Sequence, residues 1–351
     1  MTKPGDPEPA LRHLWRMTDG TSLFEHALGG LPRRALGYCT DDAGRALAVV
    51  SRSDEPGAER LAERYLAFLV QAHEGAGRFR LRMGFDRTWT DDPSSDDADG
   101  RALFGIGVAA AVAPWGYVRR EARRLFEQAA AFRSTFSRAT ASAALGAAEV
   151  LQADPDCTPA RRLADDAQGS LPRGETGAAW PWPEPRLTYA NAVVPEALIA
   201  IGKALGDEAS LREGLRQLRW LSEEERRDEH LSPAPTGGRG PGDPRPGFDQ
   251  QPIEAGALAD ACARAFDVTR DGSWLDTLAL CVRWFEGSND LGLPMFDAET
   301  GGGFDGLHPD RVNENQGAES TIAFLTTVQQ ARRLGVTGRP AQRAASSAAS
   351  S

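Results

Sequence analysis

A polar or acidic knot runs straight into a helix of small residues at six places in this chain. The copies begin at Asp41 (TDDAGRALAVV), Asp97 (DDADGRALFGIGVAA), Arg138 (SRATASAALGAAEV), Asn191 (TYANAVVPEALIAIG), Gln251 (DQQPIEAGALADA) and Gln316 (NQGAESTIAFL). Intervals of roughly 40–65 residues leave room for one further helix, with its connections, between successive copies. A helical hairpin of that size cannot bury its apolar face alone and is stabilised by stacking on neighbours. Six such hairpins can close into a ring. The pattern therefore predicts an all-α fold, an (α/α)6 toroid, with its six polar helix starts gathered at one end.

Between the copies, apolar residues recur at helical spacing. Glu59–His73 carries Leu61, Tyr65, Phe68 and Leu69 on one face, and Tyr117–Phe132 carries Ala122, Leu125, Phe126 and Ala129. Pro159–Gln168, with Pro159 favourably placed in a first turn, Leu211–Leu221 and Trp274–Phe285 bring the outer set to five. The sixth is expected from the N-terminal segment, as Leu11–Met17 and Thr21–Leu28 broken at Asp19-Gly20. Inner copies are richer in Ala and Gly, as crowding at the centre of a ring requires. Residues 1–9 and the Ala/Ser tail 337–351 have nothing to pack against and are expected to be disordered, leaving one toroid domain over 10–336.

Composition mainly excludes. A net charge of −10 and a pI near 5.2 argue against a nucleic-acid or anionic-membrane partner. No apolar run is long enough to cross a bilayer, and residues 1–9 do not read as a signal peptide. A cytoplasmic protein is expected. Cys39, Cys157, Cys262 and Cys281 lie far apart with no metal-ligand spacing, and so read as reduced thiols. The Asp96–Gly100 knot lacks the acidic twelfth position of a calcium loop, where Ile106 stands. Neither a metal nor a cofactor is expected.

In a ring of this kind the loops before the inner helices face a common cavity, where helix N-termini supply free N–H groups. The same loops carry aromatics, among them Tyr38, Phe85, Trp89, Trp180, Trp182 and Tyr189. Flat aromatic faces beside carboxylates and amides suit a sugar, which has apolar C–H faces and a polar rim. Cleaving a glycosidic bond requires two carboxyl groups, about 5 Å apart for retention or roughly 6.5–9.5 Å for inversion. Each helix-start aspartate also has a plain structural reading as an N-cap. Arg45 and Arg101 share the frame D-x-x-G-R-A-L and fit a helix-internal bridge to Asp41 or Asp97. The five histidines avoid all six inner-helix starts, which argues against a histidine-based acid–base mechanism.

These blocks resemble a bacterial family of six-hairpin toroid proteins often fused to, or encoded beside, glycosyltransferases, whose first block reads DDNARAL. The likeness runs from about Leu11 to Leu334. It implies that Asp41, Asp42, Arg45, Asp97, Arg101, Tyr189, Asn191, Glu196, Gln250, Gln251, Glu254, Asp305, Asn315 and Glu319 surround the cavity. It also implies a glycosyltransferase as protein partner. The chain departs from the family pattern at Ala43-Gly44, Asp99, Ala190 and Val193. The expected function is saccharide binding in the cavity, extending to cleavage or modification of a glycosidic bond. Asp42, Asp97, Glu254 and Glu319 are the catalytic candidates. Trp180, Trp182 and Tyr189 would stack on the sugar, and Asn191, Gln250, Gln251 and Asn315 would read its hydroxyls. The alternative is a non-catalytic saccharide-binding or scaffolding subunit, and an epimerase would need histidines at the cavity.

Overall fold

The computed structural model describes residues 11–90, 95–175 and 177–337. Apart from Thr337, the stretches expected to be disordered lie outside them. The inner helices are α2 (Thr40–Ser51), α4 (Asp96–Val112), α6 (Ser137–Ala153), α8 (Val193–Leu205), α10 (Pro252–Thr269) and α12 (Ala318–Leu334). Each packs on the next around the ring, and α12 returns to α2 with the thinnest of these contacts. Side chains bridge that closing junction: Arg45 Nη1 donates to Glu319 at 2.9 Å, and Gln329 Nε2 donates to the Val49 carbonyl at 2.9 Å.

Outside run α3 (Ala58–Ala72), α5 (Gly116–Ala129), α7 (Thr158–Ser170), α9 (Glu208–Glu224) and α11 (Ser273–Phe285), with the short α1 (Arg12–Met17) against α12. Each of the five longer outer helices falls on the segment expected for it. Thr21–Leu28 is not helical. The Phe24 N–H donates to Met17 O at 2.9 Å, Phe24 bridges to Tyr38, and Ala27–Leu28 forms β1, paired with β2 (Leu31–Pro32). Pairing with distant chain takes these backbone groups away from a helix.

Connections from inner to outer helices are short turns, such as 206–207 and 270–272. Connections from outer to inner helices, apart from 130–136 between α5 and α6, are long and carry the remaining strands. Among these are β3 (Tyr38–Cys39), β4 (His73–Gly75), β5 (Arg78–Phe79) and β6 (Arg82–Met83), paired β3 with β6 and β4 with β5. The irregular segments therefore collect where the inner helices begin. Among the described residues, no helix is long and apolar enough to cross a membrane.

Glycine sets the width of one arc. A methyl on Gly105 of α4 would lie 1.9 Å from the Gly44 carbonyl of α2, and one on Gly107 would lie 2.4 Å from the Gly146 carbonyl of α6. Here α2, α4 and α6 meet backbone to backbone.

Candidate functional site

The D-x-x-G-R-A-L frame has one geometry in both helices that carry it. A side chain on Gly44 would strike the Arg101 carbonyl at 2.6 Å, and one on Gly100 would strike the Ala139 carbonyl at 2.3 Å. Each glycine thus faces the next inner helix, and the arginine after it turns toward the ring axis. Arg45 and Arg101 line a central cavity. Below them its wall is apolar, with Leu145, Val193, Ile253 and Ile322, and its floor is formed by Arg52, Glu196 and Asp260.

At the mouth of this cavity Arg45 gathers three carboxylates. Its Nε lies 2.8 Å from Asp41, its Nη2 2.7 Å from Asp42 and its Nη1 2.9 Å from Glu319. Arg101 Nη1 donates to the other oxygen of Asp41 at 2.6 Å. The bridge from Arg45 to Asp41 is the helix-internal one expected. That of Arg101 crosses to α2 and leaves Asp97 to the Tyr189 hydroxyl, which donates to it. None of Asp41, Asp42 or Asp97 caps its helix through a side-chain hydrogen bond; Asp207 does so for α9.

The two neighbouring aspartates separate electrostatically. Burial would raise Asp41, but Arg101 and Arg45 more than offset it and hold the carboxyl below its usual range. Burial pushes Asp42 well above the usual range, Asp41, Glu25 and Glu319 add to the effect, and Arg45 opposes it. The surroundings thus favour the charged form of Asp41 and the neutral form of Asp42.

Tyr189 stands over the mouth, 40% exposed, with its ring facing the Arg101 and Arg138 guanidinium groups at 5.9 and 5.6 Å. Arg138 pairs with Glu184 and donates to Asn191 Oδ1 at 3.2 Å and to Tyr189 O at 3.1 Å. Glu254 accepts from Asn191 Nδ2 at 2.9 Å, from Asn191 N at 3.2 Å and from Ala190 N, whose residue has φ of 45°. Burial pushes Glu254 up to about 7 against the opposing pull of these donors. It braces the loop that presents Tyr189. Sequence reasoning gave Arg138 no site role, although an arginine opening an alanine-rich helix was the visible signal.

Other candidates lie elsewhere. Glu196 is buried at the cavity floor, paired with Arg264 at 2.9 Å. Gln250 is fully buried, donating to Asp290 and accepting from Trp284. Trp180 and Trp182 pack on Trp220, at ring separations of 4.9 and 5.8 Å. Asp305 accepts from Gly317 N and Asn315 Oδ1 from Gly29 N, each at 2.9 Å, so both shape the approach to α12. Gln251 is the N-cap residue of α10, without a side-chain cap.

One group among the described residues brings ligand atoms to within 4.8 Å of one another: Glu25, Cys39 and Asp42. Arg82 holds both oxygens of Glu25, Arg45 holds Asp42, and burial keeps the Cys39 thiol protonated. Those commitments do not suit a metal ion. No histidine lines the central cavity among the described residues.

No protein-family model and no curated protein matches the chain. Solved structures do match it in fold. A sugar epimerase from a ruminal bacterium superposes with a TM-score of 0.69 at 12% identity, over 94% of this chain and 97% of that one. Cellobiose 2-epimerase from Bacillus thermoamylovorans B4167 gives 0.68 at 11% identity, over 91% and 95%. A GH76 α-mannanase from Bacteroides thetaiotaomicron gives 0.62 at 11% identity, over 93% and 94%. The chain shares the (α/α)6 toroid fold of these enzymes.

Proposed function

We propose that the protein is carbohydrate-active and binds a saccharide at the mouth of the ring. The observation that carries this reading is the mouth itself. The exposed face of Tyr189 stands beside ionised Asp41, two arginines and Glu319, which offers an apolar platform with donors and acceptors around it. Carbohydrate-processing neighbours of the same fold support the class of ligand. In this reading Asp97 and Glu319 carry the acid–base work on a glycosidic bond. Asp42 and Glu254 are 4% and 3% exposed, and act by setting charge and loop position.

The second reading, a non-catalytic binding subunit that works with a glycosyltransferase, has its own support. Asp41, Asp42, Asp97 and Glu254 are all hydrogen-bonded or ion-paired within the protein. A panel of mono- and oligosaccharides separates the two by thermal shift and product analysis on wild type, Glu319→Gln and Asp97→Asn. Stabilisation of all three with turnover reduced at least about 100-fold in the variants supports the enzyme. Stabilisation with turnover by none supports the binding subunit. A panel that neither stabilises the protein nor is converted would sink both readings.

A further inference from the structure

At the opposite end of the ring the inner helices finish around a second recess, open to solvent. The last turns of α2, α4, α6, α10 and α12 reach it, and helix C-termini carry partial negative charge. Six carboxylates and four guanidinium groups line it, so side-chain charge has the same sign as the helix ends.

Part of this lining is a buried ion network. Arg264 donates to Glu149 at 2.8 Å and to Glu196 at 2.9 Å. Arg52 donates to both oxygens of Asp260 at 3.2 Å, and Gln330 donates to the same carboxylate at 2.5 Å. Tying helices together accounts for these contacts. It does not account for three further features. Three carboxylates share two guanidinium groups; Ser51, 1% exposed and lining the recess, has an Oγ with no hydrogen-bond partner; and Gln329 Oε1 is buried without one. Buried polar atoms are ordinarily paired.

We propose that this recess is a second ligand site, separate from the mouth, that takes a small organic polycation with ammonium groups spaced along an extended chain. Ammonium groups only donate, which matches Glu149, Asp260, the Gln329 Oε1 and a Ser51 lone pair. A compact metal ion fits less well. Among the described residues, no three carboxylates at this end converge within ligating range of one another.

Isothermal titration of the full chain with spermidine, beside a neutral glycol of similar length, tests the site. We expect one spermidine per chain, weakened by salt, and no response to the glycol. Glu149→Gln leaves Arg264 paired with Glu196 and should weaken binding by at least about tenfold. Gln329→Lys places a tethered ammonium in the recess and should abolish it. Glu319→Gln, at the mouth, should leave it unchanged. Absence of spermidine binding to wild type, or undiminished binding to Gln329→Lys, would overturn the proposal. A co-crystal gives an answer independent of any variant: spermidine in this recess upholds it, and spermidine elsewhere on the molecule refutes it.

Discussion

Glu225 is 1% exposed, and its carboxyl accepts a hydrogen bond from Ala234 N at 3.1 Å. Burial, then the neighbouring Glu254, pushes its carboxyl from 4.5 to about 8. A carboxyl that holds its proton more tightly folded than unfolded stabilises the fold fully below pH 4.5. That contribution is lost as pH rises through about 8. Glu225→Gln keeps an acceptor for Ala234 and removes the ionisation. Denaturant titrations should therefore find the variant more stable than wild type at pH 8.5, by at least about 1 kcal/mol, with the difference closing near pH 4.5. A difference that grew toward acid would refute the assignment. At this scale the sequence was legible in part. The Arg45–Asp41 bridge follows from helical register alone. Register along one helix does not say which neighbour a long side chain reaches, so the turn of Arg101 to Asp41 and of Gln250 to Trp284 and Asp290 was hidden.

Among the elements, the inner helices were the most readable, because their small residues and polar starts repeat. Their glycines have different duties that the sequence does not separate. Gly105 sits against the Gly44 carbonyl, whereas nothing lies within 4 Å of a methyl on Gly169 in α7. Gly105→Ala should force α2 from α4 and lower stability by about 1–3 kcal/mol or more. Gly169→Ala should be neutral or stabilising by up to about 1 kcal/mol. Thermal melts of the two variants check this, and equal melting temperatures would refute the close-contact argument. The extended course of Thr21–Leu28 escaped periodicity because its pairing partner, Tyr38, is set by the tertiary fold. A lone segment of a few apolar residues fits a helix turn as well as a ladder.

Across the whole molecule, ring closure and the shared mouth could be anticipated, whereas the far-end network could not. Glu149, Glu196, Asp260, Arg264 and Gln330 come from four inner helices, Arg52 follows the last residue of α2, and together they form no motif in the chain. Arg264 holds two of those carboxylates. Arg264→Met would leave Glu149 and Glu196 without that partner and should cost about 3–5 kcal/mol at neutral pH. Chemical denaturation measures it, and a loss below about 1 kcal/mol would show that the network contributes little. The thin junction between α12 and α2 makes the ring comparable to a washer cut at one point. A bulky guest would be admitted by spreading that gap, whose latch near the mouth is Arg45 on Glu319, while the glycine-welded arc on the other side keeps its curvature. Entry would then loosen the first turn of α12 before any other inner helix. Amide exchange there should quicken when Glu319 loses its charge.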